Sequence, residues 1–291
     1  MGRFRLEGIM PTLSPQQVED AARFMPDRTL ATSFLEPEAR ARVIAIILFA
    51  YEIGRARSVV SEAGLAAIRL QWWRDTIEQI YAGHVVRAQP TAIALAGAIQ
   101  EANLPENLFI AMIDGHEREI ETFPFVTWQD LNAYLDLTQG NLIRLSLLAS
   151  GLPAITTHSD EAARQAGIAT GLAHLLRVMP QWSQRRSMWL PMEACDKIDR
   201  EAVFAGQVSQ DLRTLLLSVI EKVSHARERA NKSLRHGRIG LHFPALALAC
   251  LAFRYAKLAI PKSGTSLHVA QDVTLLERQI RITMSIATGK I

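Results

Sequence analysis

The sequence predicts an all-α fold, and three observations carry that prediction. Apolar residues recur at intervals of three and four through most of the chain, the spacing that gathers them on one side of a helix. No segment alternates apolar and polar residues between hairpin turn signals, as a half-buried strand would. Proline and glycine stand at the edges of the periodic segments, as with Pro15, Pro37 and Pro90 at starts and Gly83 and Gly151 at ends.

Taken in order, Ser14 caps a first helix, and Pro15 lies in its first turn, where a missing N–H costs nothing. Residues 37–60 are apolar almost all round (Val43, Ile44, Ile46, Ile47, Leu48, Phe49), which marks a central, buried helix. Residues 67–81 place Leu70, Trp73, Ile77 and Ile80 on one face, and Gly83 ends them. Residues 90–102 and 105–121 form two further helices. Residues 128–150 form another, capped by Thr127. The helix at 159–179 opens with Ser159, Asp160 and Glu161, acids that face unpaired backbone N–H groups. Residues 209–234 carry a stripe of Leu212, Leu215, Leu216, Val219, Val223, Ala226 and Ala230. After a loop at 261–264, a last helix at 272–288 carries Val273, Leu276, Ile280, Met284 and Ala287, with Arg278 and Arg281 off that stripe. Packing of this stripe on the helical core is its simpler reading, and membrane contact is the other.

With 291 residues, 49% of them hydrophobic, the chain can bury a large core. No linker, repeat or low-complexity tract divides it, so one domain over residues 1–291 is expected. A net charge of +3, spread along the chain, argues against nucleic acid and suits an anionic small ligand or an anionic membrane surface. Cys195 and Cys250 form no CxxC pair, which argues against a disulfide framework or a structural zinc site. The first ten residues lack a signal-peptide core, and the late apolar run at 243–260 is interrupted by Arg254 and Lys257. A cytoplasmic protein with peripheral membrane contact is the expectation.

No nucleophile elbow, zinc-protease motif, P-loop or dinucleotide fingerprint is present. His174, on an apolar helix, reads as a satisfied core residue. Asp114, Glu117 and Glu119 read as a solvated face, and Trp72, Trp73, Trp182 and Trp189 as core. Arg55, Arg57, Arg177, Arg185 and Arg186 lie near the ends of apolar helices. A guanidinium pairs two oxygens at once, so these five either form a diphosphate or carboxylate site or pair singly with carboxylates such as Glu52. Both readings stay open on the residues alone.

Several blocks resemble one family. PEAR at 37–40 leads into LFAYEIGRARSVVSE, RLQWWRDTIEQIYAG follows, then DLNAYLDLTQGNLIRL and GLAHLLRVMPQWSQRRSMWLPM. Over roughly residues 20–260 the chain resembles the squalene/phytoene synthases, head-to-head prenyl transferases of the trans-isoprenyl diphosphate synthase class. The resemblance implies an isoprenoid-synthase helical bundle around a central cavity, with Tyr134 on a cavity-lining helix. Active members couple farnesyl or geranylgeranyl diphosphate with Mg²⁺ held by two aspartate-rich motifs, because magnesium takes oxygen ligands and neutralises the leaving diphosphate. Here those motifs align on Gly54, Arg55 and Ser58, and on Val178 and Trp182, with no acid among them. The resemblance therefore implies no catalytic residue, no metal and no cofactor.

The wording SVVSE at 58–62, RLQWW at 69–73 and LPM at 190–192 is similar to a divergent branch, the mitochondrial assembly factor for respiratory complex I and its bacterial relatives. It implies a non-catalytic accessory factor at the inner membrane face, in the mitochondrial matrix if the source is eukaryotic, with a respiratory-complex subunit as partner. The alternative is a prenyl-diphosphate binder or prenyltransferase in isoprenoid biosynthesis. In it Arg55, Arg57, Tyr134, Arg177, Arg185 and Arg186 hold the ligand in place of magnesium, and Trp72, Tyr134 and Leu142 line an apolar tunnel. A lipid or quinone carrier is a third reading.

Overall fold

A computed structural model of the chain describes residues 13–56, 63–84, 88–122, 124–261, 266–268 and 272–291. Among them every regular element is helical and none is a strand. Helix α1 (Pro15–Phe24) starts at Ser14, whose hydroxyl accepts the Gln17 N–H at 3.3 Å. The Gln17 side chain in turn accepts the Ser14 N–H at 2.9 Å, so two orphan donors are satisfied together. Helix α2 (Pro26–Thr32) follows at once and buries Asp27 and Arg28.

Helix α3 (Pro37–Gly54) is the central rod. Residues 43–49 are all buried, so no face of it is left for water. It ends at Gly54; residues 57–60 of the expected helix lie outside the described residues. Helix α4 (Ala63–Tyr81) starts four residues earlier than the periodicity indicates, and Leu70, Trp73, Ile77 and Ile80 are buried on one face as expected. Trp73 meets Phe49 edge-on at 5.2 Å, and Phe49 meets Phe109 at 5.5 Å, which ties α4 and α6 (Glu106–Thr122) to α3. Between them α5 (Pro90–Ala102) packs on α3 and ends at Asn103, whose left-handed backbone suits asparagine.

The expected single helix at 128–150 is interrupted. Helix α7 (Trp128–Leu135), capped by Thr127, runs into a π-helical turn at Asp136–Gly140, and α8 (Asn141–Ala149) continues. The interruption lies where α9 (Thr157–Arg177) crosses. A Cβ on Gly167 would sit 2.5 Å from the Gly140 backbone nitrogen, so the two backbones touch there. Helix α9 is capped by Thr156. Ser159 is its third residue and returns the cap's hydrogen bond, so the start was misread by two residues. It ends at Arg177, and Pro180 opens a new short helix α10 (Met179–Gln184) after a break at Val178.

Short helix α11 (Arg200–Phe204) leads to α12 (Gln210–Leu234), which lies along α9 and buries Leu212, Leu216, Val219, Val223, Ala226 and Ala230. The late apolar run becomes two 3₁₀ turns and α13 (Ala252–Leu258), packed on α9. Helix α14 (Leu275–Thr288) packs on the core as its simpler reading has it, through Ile282, with Val273 buried just before it, but most of the expected stripe does not take part. Leu276, Ile280 and Met284 are 66%, 50% and 62% exposed, while Ile282 and Ser285 are buried. Arg278 lies on the same inward face as Ile282 and Ser285 and reaches Asp27 at 3.3 Å, while the apolar stripe on the opposite side points to solvent.

Candidate functional site

Two chain segments frame the site: the end of α3 and the junction of α9 with α10. Gly54 closes α3 opposite His116 of α6, whose ring a Cβ at Gly54 would approach to 3.7 Å. His116 Nδ1 lies 3.2 Å from Glu119 Oε2, and the Tyr134 hydroxyl donates to the same oxygen at 2.8 Å. Glu119 is 5% exposed. The acids of α6 are thus divided. Glu119 is buried in a His–Tyr network, while Asp114 and Glu117 hold the Arg74 guanidinium at 2.7 and 2.8 Å. The expected solvated face holds for Asp114 and Glu117, which stay partly exposed while pairing with Arg74, but not for Glu119, which Tyr134 covers.

Arg55 follows the pairing reading. Its Nε is 3.7 Å from Glu52, its Nη1 is 3.4 Å from the Tyr51 hydroxyl, and it lies over the Tyr51 ring. Arg57 and Ser58 lie outside the described residues. Val178 is half-buried at the helix break, and Trp182 is 3% exposed, its indole N–H donating to the Leu175 carbonyl at 3.0 Å. Tyr134 also packs on Phe125, which faces Trp189. Arg185 and Arg186 are exposed, and Arg186 is bound to both oxygens of Glu201 at 2.6 and 2.7 Å.

The junction holds a cluster that the sequence did not reveal. Arg177 reaches Asp27 at 3.5 Å and Asp272 at 2.8 Å, and lies 4.4 Å over the Tyr255 ring. Arg278 contacts the same two carboxylates at 3.3 and 2.7 Å, and the Tyr255 hydroxyl donates to Asp27 at 2.7 Å. Burial pushes the Tyr255 hydroxyl pKa up, and the Asp27 charge pushes it further. The two guanidiniums are already matched by two carboxylates of this chain. Asp27, Asp272, Tyr255 and Arg278 come from three distant segments, and the one local sign was a charged pair, Asp27-Arg28, in a short segment with apolar neighbours.

Arg28 is different. It is buried, donates to Gln139 Oε1 at 2.6 Å, and has no carboxylate within ion-pair distance among the described residues. Burial pulls its pKa down to about 10, against the pull of Asp27. His174 also departs from its core reading. Protein packs densely around the ring, yet the residue keeps an exposed surface. Burial first, then Arg177 and Arg28, push its imidazole down to about 4, so it is neutral near pH 7.

The predicted site residues therefore engage different partners: Arg55 joins Tyr51 and Glu52, Arg177 joins Asp27 and Asp272, and Arg186 joins Glu201. The donor set at the aligned motif positions does not fit magnesium. Gly54, Val178 and Trp182 offer no side-chain oxygen, Arg55 is a cation, Ser58 has a neutral hydroxyl rather than a carboxylate, and no group of three His, Cys, Asp or Glu among the described residues could hold a metal.

A cleft of about 910 Å³ lies elsewhere, lined by Arg42, Glu101, Asp136, Arg144, Leu148 and Asp160 among others. It shares no residue with the α3 end or the α9–α10 junction. Its cations are internally matched, Arg144 by Asp136 and Asp160 at 2.7 and 2.6 Å and Arg42 by the Ala149 carbonyl and Glu101.

Among solved structures, a dehydrosqualene synthase in complex with ligand superposes with a TM-score of 0.78 at 17% identity, covering 94% of this chain and 95% of that one. Squalene synthase HpnC from Alicyclobacillus acidocaldarius gives 0.66 at 14% identity, covering 97% and 98%. At these identities the likeness is one of fold. In sequence, the chain is 31% identical over 211 residues to NADH dehydrogenase (ubiquinone) complex I, assembly factor 6, of Homo sapiens, covering 72% of this chain and 60% of that protein. It therefore spans about three-fifths of that relative's length. It is 20% identical over 235 residues to the chloroplastic phytoene synthase 2 of Zea mays, covering 79% of this chain and 58% of that protein. The squalene/phytoene synthase profile matches residues 22–266, and the chain belongs to that family.

Proposed function

We propose that this chain is a non-catalytic member of the squalene/phytoene synthase family that serves as an accessory factor in the assembly of a respiratory NADH dehydrogenase, at the membrane face where that complex is built. One observation carries the proposal. The positions that align with magnesium-binding acids hold Gly54, Arg55, Ser58, Val178 and Trp182, none of them an acid, and Trp182 is spent on the core. The 31% identity to complex I assembly factor 6 supports the choice of process. Such a chain keeps the helical scaffold and uses its surface. Two measurements test the reading. Deleting the gene should lower fully assembled NADH dehydrogenase on native gels, and the wild-type gene should restore it. Purified protein with Mg²⁺ and farnesyl or geranylgeranyl diphosphate should yield no coupled product. Coupling, or normal assembly in the deletion strain, overturns the proposal.

Arg28 favours a second reading, in which the chain binds a prenyl diphosphate without metal, with Arg55, Arg57, Tyr134, Arg177, Arg185 and Arg186 as the further contacts. A buried guanidinium with one side-chain acceptor has donors to spare for an anion. Against it stand Asp27 and Asp272, which already neutralise Arg177 and Arg278. Calorimetry with a prenyl diphosphate analogue in the absence of metal decides. Binding that Arg28→Ala weakens supports this reading, and no heat of binding removes it.

A further inference from the structure

The apolar stripe of α14 has no partner in the fold. Leu276, Ile280 and Met284 recur every four residues and stand clear of the body, with Ala287 exposed on the same side and Leu275 exposed near the helix start. The helix is held down on its opposite face, by Ile282 and Ser285 in the core and by Arg278 on Asp27 and Asp272. The stripe is therefore fixed in orientation and cannot fold inward without breaking those ion pairs.

A basic cluster borders the stripe. Arg254 and Arg281 share a single acid, Glu277, each at 2.8 Å. Lys257 and Arg227 lie over the same Phe253 ring, at 4.4 and 5.4 Å. Arg227 has no carboxylate within ion-pair distance among the described residues, and its Nε is buried without an acceptor. Arg281 is close enough to Arg227 to disfavour its charge. Glu228 is the other acid that acts on Arg227. Four cations against Glu277 and Glu228 leave this edge positive.

From this geometry we infer that α14 is a membrane-docking face, which lays Leu276, Ile280 and Met284 into the surface of a bilayer while Arg227, Arg254, Lys257 and Arg281 meet anionic lipid headgroups. The chemistry distinguishes this occupant from a protein. Five exposed side chains on one short helix fall well short of the ~800 Å² per partner that a stable protein interface buries. A bilayer needs only a narrow apolar strip together with electrostatic attraction, and the two add. No helix among the described residues is long and apolar enough to cross a membrane, so the contact is peripheral. The inference deepens the membrane-face part of the proposed function, and its test needs neither a respiratory complex nor a prenyl ligand.

The test is flotation of the purified full chain with vesicles. Vesicles of phosphatidylglycerol and phosphatidylcholine should bind it at least about tenfold better than phosphatidylcholine alone, and raising the salt should weaken the binding. The double variant Ile280→Asp/Met284→Asp should lose the binding while keeping the wild-type circular dichroism and unfolding midpoint, because both side chains already face water. Arg281→Ala/Lys257→Ala should lose the preference for anionic lipid. Three results overturn the inference: no binding to anionic vesicles, binding unchanged in the Asp/Asp variant, or a concentration-dependent dimer that this variant abolishes in the absence of lipid. Normal complex assembly in cells carrying the Asp/Asp variant, alongside lost vesicle binding, would sever the membrane face from the assembly role without touching either measurement.

Discussion

At the scale of single residues, Trp182 shows what packing does at an aligned position. Trp182 stands where the family resemblance places a magnesium ligand, and it is buried with its indole hydrogen-bonded to Leu175. Trp182→Ala should cost about 3–5 kcal/mol in urea unfolding, the range for removing a large buried aromatic. A loss under about 1 kcal/mol would show that the indole fills no part of the core. His174 supplies a pH dependence. Its folded-state pKa is lowered from 6.5 to about 4, so below pH 6.5 the unfolded chain takes up a proton that the folded chain refuses. Stability should therefore fall as pH drops from about 6.5 to about 4 and level off below. The accessible ring lets water screen part of the penalty, which makes the slope shallower than full burial would give. In His174→Gln this part of the slope should vanish, as read by denaturation midpoints at pH 7 and pH 4.5.

At the scale of elements, glycines decide how closely helices approach. Gly167→Ala would drive a methyl to 2.5 Å from the Gly140 nitrogen and 2.8 Å from its Cα, with backbone on both sides and no flexible side chain to yield. It should cost about 1–3 kcal/mol or more, since the crossing of α9 over the π-helical turn must open. Gly64→Ala, early in α4 with nothing within 4 Å of the added methyl, should stabilise by about 0.5–1 kcal/mol. Thermal unfolding of the pair separates a steric role for glycine from a merely flexible one. The starts of α1, α7 and α12 were legible because Ser14, Thr127 and Ser209 act within their own first turns. The break at 136–140 was not legible, because it is set by what crosses it.

At the scale of the whole molecule, two apolar cores share one helix. Leu142, Leu145 and Ala149 of α8 belong to the core of α3, α4, α5 and α6, and Ile143 and Leu147 to the core of α9, α12 and α13. The two cores should therefore unfold together. Trp73 reports on the first and Trp182 on the second, and with the other tryptophans replaced their fluorescence transitions should coincide. Leu145→Ala should lower both midpoints alike, with a cost of about 2–5 kcal/mol. A shift at Trp73 alone would show two independent units.

The sequence by itself determined the helical class, most helix starts, the apolar all-round character of α3 and the absence of acids at the aligned motif positions. Each of these depends on residue type or on neighbours within a turn or two. Tertiary structure alone decided that Arg177 is matched by Asp27 and Asp272, that Glu119 is buried under Tyr134, and that His174 keeps an exposed surface. It also decided which way α14 faces. The spacing of Leu276, Ile280 and Met284 fixes a stripe but not its direction. On the inward face of α14 stand Ile282, in the core, and Arg278, ion-paired with Asp27 some 250 positions away in the chain. An inward salt bridge and an outward apolar stripe have the same periodicity as the reverse arrangement, so only the partner's position could tell them apart.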